Sequence, residues 1–233
     1  MKVIVEKKIL EKFPKLNIGI VIAKGIDNSG DDEKIYHLLD EIQDLIKLNI
    51  VPESLARHPL ISNWRSAYSE FGSKPSKYNS SVEALLKSVL KGRKIPRISK
   101  IVDLYNYLSL KHLVPMGADD LDKIDGDIKL KFATGKEKFT PLGKNTADNP
   151  DKGEVIYKDD KKVLCRRWNW RECDESKITN DTKDLVIYIE GLFPVEEKKV
   201  EEICKETIEL IKMFCNGKLT YHILNKKRPE VKI

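Results

Sequence analysis

The hydrophobic pattern changes period along the chain, near Gly126, and this change limits what the chain can fold into. Before it, apolar residues recur at helical spacing. Ile35, Leu38, Leu39, Ile42, Leu45 and Ile46 form one stripe within 31–48, and Val82, Leu85, Leu86, Val89 and Leu90 form another. A repeat of three to four residues marks a helix that buries one face. Further helices are expected over about 61–71, with Trp64 and Tyr68 on a common side, and over about 99–112, with Ser99 placed as its cap. After Gly126, Ile128, Leu130 and Phe132 alternate with charged residues, the period of a half-buried strand. Short strands are also expected at 2–6, 16–23, 138–143, 153–157, 162–165, 186–189 and 219–224, and a long helix at about 195–215. The chain therefore needs both helices and strands, and its 233 residues suit one large domain or two closely packed halves.

The densest chemistry lies at 165–171, Cys-Arg-Arg-Trp-Asn-Trp-Arg, in a chain that is only 7% aromatic. A buried strand does not call for three guanidiniums, because each must be paired and fully hydrogen-bonded inside a core. The run reads as the lining of a wet cavity, or else as an architectural lattice of arginines stacked on tryptophans. On a straight strand Arg166, Trp168 and Trp170 share one face and Arg167, Asn169 and Arg171 the other. Arg166 suits an anion, and Asn169 offers both a donor and an acceptor.

Other classes are poorly supported. Cys165, Cys173, Cys204 and Cys215 form no CxxC pair, so neither a disulfide framework nor a structural zinc site is expected. Asp119, Asp120 and Asp122 lack the glycine and distal glutamate of a calcium loop, so no metal or other cofactor is expected. Thr179 and Thr182 have no serine-histidine-acid relay nearby. Without an apolar run of about 18 residues no membrane association is expected, and a cytoplasmic location is the default. The formal charge of +6 is modest, with local surpluses at 87–100 and 161–171 that suit either a solvated surface or a phosphate backbone. On the helix at 99–112, Asp103, Asn106 and Ser109 follow at intervals of three, able either to brace the helix or to wall a pocket.

Taken in order, 64–81, Ile101-Val102-Asp103-Leu104-Tyr105-Asn106, 115–126 and 153–182 resemble the B3/4 domain of the phenylalanyl-tRNA synthetase beta subunit, and more closely its free-standing relatives. The resemblance covers about 61–191. It implies an α+β fold with a mixed β core and peripheral helices, in a single domain over 1–233 whose N-terminal strand and helix and C-terminal helix and strand pack on the family-like core. In the synthetase this domain hydrolyses the ester joining a wrong amino acid to its transfer RNA. Where the synthetase motif has a histidine, this chain has Gly117 after Pro115 and Met116. Where the bacterial synthetase has a glycine-rich turn, this chain has 166–171, an arginine and tryptophan version shared by the free-standing relatives.

The function so implied is deacylation of misacylated tRNA in trans, with the aminoacyl-tRNA acceptor end as partner. Arg166, Asn169 and Asp103 are the catalytic candidates: Arg166, Arg167 or Asn169 to stabilise the developing oxyanion, and Asp103 to orient an arginine or the substrate amine. Arg65, Asn106, Met116, Gly117, Arg167, Trp168, Trp170 and Arg171 are the substrate-binding candidates, with Arg65 near the terminal phosphate and Trp168 or Trp170 stacked on the terminal adenine. A module that binds tRNA or another nucleic acid without cleaving it, and a protein binding a small ligand in the same pocket, are the alternatives.

Overall fold

The computed structural model describes residues 1–233. Ten strands occur in chain order: β1 (Lys2–Val5), β2 (Asn17–Lys24), β3 (Met116–Asp120), β4 (Ile128–Phe132), β5 (Val155–Lys158), β6 (Val163–Arg166), β7 (Arg171–Glu172), β8 (Leu185–Gly191), β9 (Lys218–Leu224) and β10 (Glu230–Lys232). Six helices accompany them: α1 (Lys7–Lys12), α2 (Glu33–Asn49), α3 (Pro59–Glu70), α4 (Ser81–Leu90), α5 (Lys100–His112) and α6 (Glu197–Cys215). The strands make two sheets, one ordered β10-β1-β4-β5-β6-β7 and the other β3-β8-β2-β9. The class is α+β with a mixed β core, since β1 and β4 run parallel and the other pairs antiparallel.

The layering follows from β2 and β8. All seven residues of β8 are buried, so both of its faces are covered, which explains the unbroken Leu-Val-Ile-Tyr-Ile run. Val186 and Tyr188 face the six-stranded sheet, packing with Val5, Leu130, Tyr157 and Leu164. Leu185, Ile187 and Ile189 face the other way, onto Leu104 and Leu108 of α5 and Val200 and Ile203 of α6. Gly19 of β2 lets α6 close on this sheet: a Cβ there would lie 2.4 Å from Cys204 Sγ. α2 and α4 enclose a third, smaller core around Leu39, Ile46, Val82 and Leu86.

Helix starts follow the local chemistry. Asp32 accepts from the Lys34 amide (2.8 Å), Ser80 from Glu83 (3.4 Å) and Ser99 from Val102 (3.4 Å), satisfying amides that no helical carbonyl can reach.

Three local expectations give way. Residues 138–143 form no strand and contribute only the Pro141–Cys173 bridge, because proline and glycine flank the short apolar stretch. The residues after β9, for which no strand is expected, turn back as β10, paired with β1 through Lys2–Lys232 and Val3–Val231. The strand expected to run straight through 165–171 stops at Arg166, since Arg167 and Trp168 take positive φ values of 46° and 68°. That turn cancels the expected face alternation, so Trp168 points into the core.

Candidate functional site

A small pocket opens between the two sheets. β3 and β8 supply Met116, Gly117, Asp119, Tyr188 and Glu190; the other sheet and its 167–170 turn supply Tyr157, Cys165, Trp168, Asn169 and Glu172. Strand alternation explains the set, because Gly117 and Asp119, like Tyr188 and Glu190, are two residues apart and share a face. The free space is about 10 Å³, room for about one water.

Its polar groups form two linked arrays. Tyr157 Oη donates to Glu190 Oε1 (2.7 Å), Asn169 Nδ2 donates to Glu190 Oε2, and Tyr68 Oη donates to Asn169 Oδ1 (2.9 Å). Tyr188 Oη donates to Asp119 Oδ2 (3.0 Å), whereas Asp119 Oδ1 is buried with no partner. The Tyr157 and Tyr188 rings pack with centroids 4.7 Å apart. Glu172 is partly exposed at the mouth, and its Oε1 lies 2.8 Å from where a Cβ on Gly117 would stand.

No lysine, arginine or histidine lines this space. Burial accordingly pushes Glu190 up to about 7 against the pull of Asn169 and Tyr157, and Asp119 up to about 6 against the pull of Ser176 and Tyr188. Burial, reinforced by the charge of Asp119, raises Glu172 well above the usual carboxylate range. Burial also raises the Cys165 thiol, which makes it a poor nucleophile near neutral pH.

The residues singled out in the sequence divide into two groups. Met116, Gly117, Asn169 and Trp168 meet in the pocket. Arg166 lies outside it and is occupied: its Nε and Nη2 donate to Glu154 (3.0 and 2.6 Å) and its Nη1 to the Asp148 carbonyl (2.7 Å). Arg167 is paired to the same Glu154 (2.7 Å) and stacked 3.7 Å over Tyr78. Arg65 is bound to Glu83 (2.6 Å) and to the Pro75 carbonyl (3.2 Å). All three guanidiniums are paired with acids and none lines the inter-sheet pocket; Arg167 instead lines a separate open groove of about 330 Å³ with Lys74, Lys77 and Lys152. Trp168, fully buried against Phe13 (4.9 Å) and Trp64 (5.0 Å), has no free ring face for a base.

Asp103 stands outside the pocket, accepting from the Ile98 amide (3.0 Å), with burial raising its pKa to about 6. Asn106, on the same helix, lines none of the pocket either. Trp170 is half-buried against Tyr78 (4.9 Å), and Arg171 is exposed beside it, 5.3 Å from the ring. Together with Lys144 and Thr146 they line an open groove of about 330 Å³.

The sequence reading passed over Glu172 and Glu190, and weighed Asp119 as a metal ligand or as a residue capping a short helix. Glu190 carried a signal, a carboxylate closing an otherwise apolar strand. Glu172 carried none, because the unseen turn at 167–168 is what aims it inward.

A broader groove of about 580 Å³ lies elsewhere, among Lys136, Lys138, Lys158 and Lys161 with Glu137 and Glu175. Its charges are mixed and no apolar side chain lines it. No helix is long and apolar enough to cross a membrane.

The family model described as the B3/4 domain matches residues 63–216. The phenylalanine–tRNA ligase beta subunit of Francisella tularensis is 29% identical over 200 residues, which cover 81% of this chain and 25% of that protein. That of Colwellia psychrerythraea is 36% identical over 96 residues, 41% of this chain and 11% of that protein. The chain thus spans a quarter or less of these curated relatives. A solved N-terminal fragment of the phenylalanyl-tRNA synthetase beta subunit from Pyrococcus horikoshii is 16% identical, covering 93% of this chain and 49% of that one, with a TM-score of 0.49.

Proposed function

Because the chain belongs to the B3/4 domain family, we propose that it deacylates misacylated tRNA in trans, with residues 1–233 working as one domain and the aminoacyl group entering the inter-sheet pocket. The observation that carries this reading is the convergence of Met116, Gly117 and Asn169 on one pocket whose mouth holds Glu172. Glu172 is the acid–base candidate, and Asp103, expected to orient an arginine or the substrate amine, stands outside the pocket. Glu172 combines water access with a pKa raised by burial, which makes its carboxylate a stronger base than an ordinary one.

In the proposed reaction Glu172 takes a proton from water as the water attacks the ester carbonyl. The tetrahedral intermediate then collapses, and the same proton passes to the departing ribose oxygen. Arg166 and Arg167 take no part, because Glu154, Asp148 and Asp151 already engage them. The acceptor end lies outside the pocket, its terminal adenine against Trp170 and its phosphate near Arg171 and Lys144, which line one open groove.

The test is a panel of correctly and incorrectly charged tRNAs, followed for amino acid release by the wild type and by Glu172→Gln. Release of one class, cut at least 100-fold in the variant, supports the reading. No release by the wild type overturns it in favour of binding without cleavage. The small free space of the pocket favours that second reading, since an acyl group enters only if Glu172 swings outward.

A further inference from the structure

Two buried guanidiniums share one buried carboxylate. Arg166 and Arg167 are 2% and 5% exposed, and Glu154, 3% exposed, engages both: its Oε1 lies 2.6 Å from Arg166 Nη2 and 2.7 Å from Arg167 Nη2, and its Oε2 accepts from Arg166 Nε. The second positive charge is met only by Asp148 and Asp151, whose side chains are 58% and 82% exposed, so water screens those pairs. Arg167 Nε is buried with no hydrogen-bond partner at all. A buried donor without an acceptor, in a cluster short of one buried negative charge, is costly, and an incoming anion relieves both.

The groove that Arg167 lines has the matching chemistry. Lys74, Lys77 and Lys152 stand exposed along it, and its only acids are Asp151 and Glu154, the two that the arginines already share. Arg167 covers the Tyr78 ring at 3.7 Å, so the groove offers charge in place of a stacking surface. It adjoins the groove at Trp170, because Tyr78 lines the one and Trp170 the other, and the two rings touch at 4.9 Å. Arg167 bridges them, 4.9 Å from the Trp170 ring.

We propose that this second groove holds backbone phosphates of the single RNA strand that leads to the terminal adenosine. The inference rests on the reading that seats the adenine against Trp170. Arg167 then acts on the strand and not on the ester, and the two grooves form one track in which stacking at Trp170 fixes the end and the cations fix the strand behind it.

The experiment is fluorescence anisotropy of the full chain with a 5′-labelled tetraribonucleotide ending in adenosine, over a range of salt concentrations. The triple variant Lys74→Ala, Lys77→Ala, Lys152→Ala is expected to bind about tenfold more weakly and to lower the salt slope by about 2. A control triple, Lys136→Ala, Lys138→Ala, Lys158→Ala, removes the same charge from the other lysine-lined groove and is expected to stay close to the wild type. Equal losses in the two triples overturn the proposal, because net charge alone would then explain them. So does an unchanged affinity in the first triple, and so does calorimetric binding of inorganic phosphate that the first triple abolishes while RNA binding persists, which would assign the groove to a free anion. The RNA carries no ester, so the two readings fail separately. Loss of RNA binding in the first triple, with no release from any charged tRNA by the wild type, removes the deacylase and leaves the groove. Wild-type release by that triple at subsaturating charged tRNA removes the groove and leaves the deacylase.

Discussion

Replacing Glu190 by glutamine should reverse the sign of its effect on stability between pH 5 and pH 8. The carboxyl is 2% exposed, and burial lifts its pKa from 4.5 to about 7. The folded protein therefore binds the proton more tightly than the unfolded chain, so stability is full below 4.5 and declines as pH rises to about 7. At about 1.4 kcal/mol per pH unit the decline amounts to about 3 kcal/mol. Glutamine removes this cost but turns one acceptor into a donor. The amide can still accept from Tyr157, but Asn169 must then reverse and lose the bond from Tyr68, at a cost of about 1–2 kcal/mol. Urea unfolding should find Glu190→Gln less stable than the wild type by up to about 1 kcal/mol at pH 5, where the wild type has already lost part of its pH-dependent stability, and more stable by about 1–2 kcal/mol at pH 8. A difference that stays constant across this range would refute the reasoning, because it would mean that Glu190 is ionised throughout.

Three further outcomes follow from burial and close packing. Trp168→Ala should cost about 3–5 kcal/mol in denaturant unfolding, since the ring is fully buried against Phe13 and Trp64. Arg166→Ala should cost about 3–5 kcal/mol by leaving the buried Glu154 short of its main partner, while Arg171→Ala, exposed and without an acidic partner, should stay within about 0.5 kcal/mol. Gly19→Ala should lower the urea midpoint by the equivalent of about 1–3 kcal/mol, because the new methyl meets Cys204 on α6.

Much of the fold was legible because periodicity reports burial. The apolar stripes of α2, α4 and α6 and the unbroken run of β8 each have one packing solution, and the Ser80 and Ser99 caps are local chemistry. α1 escaped notice because six residues are too few to show a stripe, and β10 because Val231 is its only apolar residue. At the site, local and long-range information separate. The resemblance brought Met116 and Gly117 to attention and composition brought Asn169, and the structure gathers them in one pocket. The arginines misled because their partners are distant: Glu154 lies 12 residues before Arg166, and Glu83 lies 18 after Arg65. The same holds for the acids, since nothing local shows that Asp119, Glu172 and Glu190 converge from three strands. Composition registered that the 165–171 run is unusual, and it could not say that positive φ at Arg167 and Trp168 would bury the indole and turn Glu172 toward the pocket.

The most direct measurement is a set of crystal structures of the full chain, each with a non-hydrolysable amide analogue of an aminoacyl-adenosine. The account predicts the aminoacyl side chain between β3 and β7, Glu172 beside the amide and the adenine against Trp170. An analogue seated elsewhere, with the inter-sheet pocket unchanged around Glu172, would contradict it.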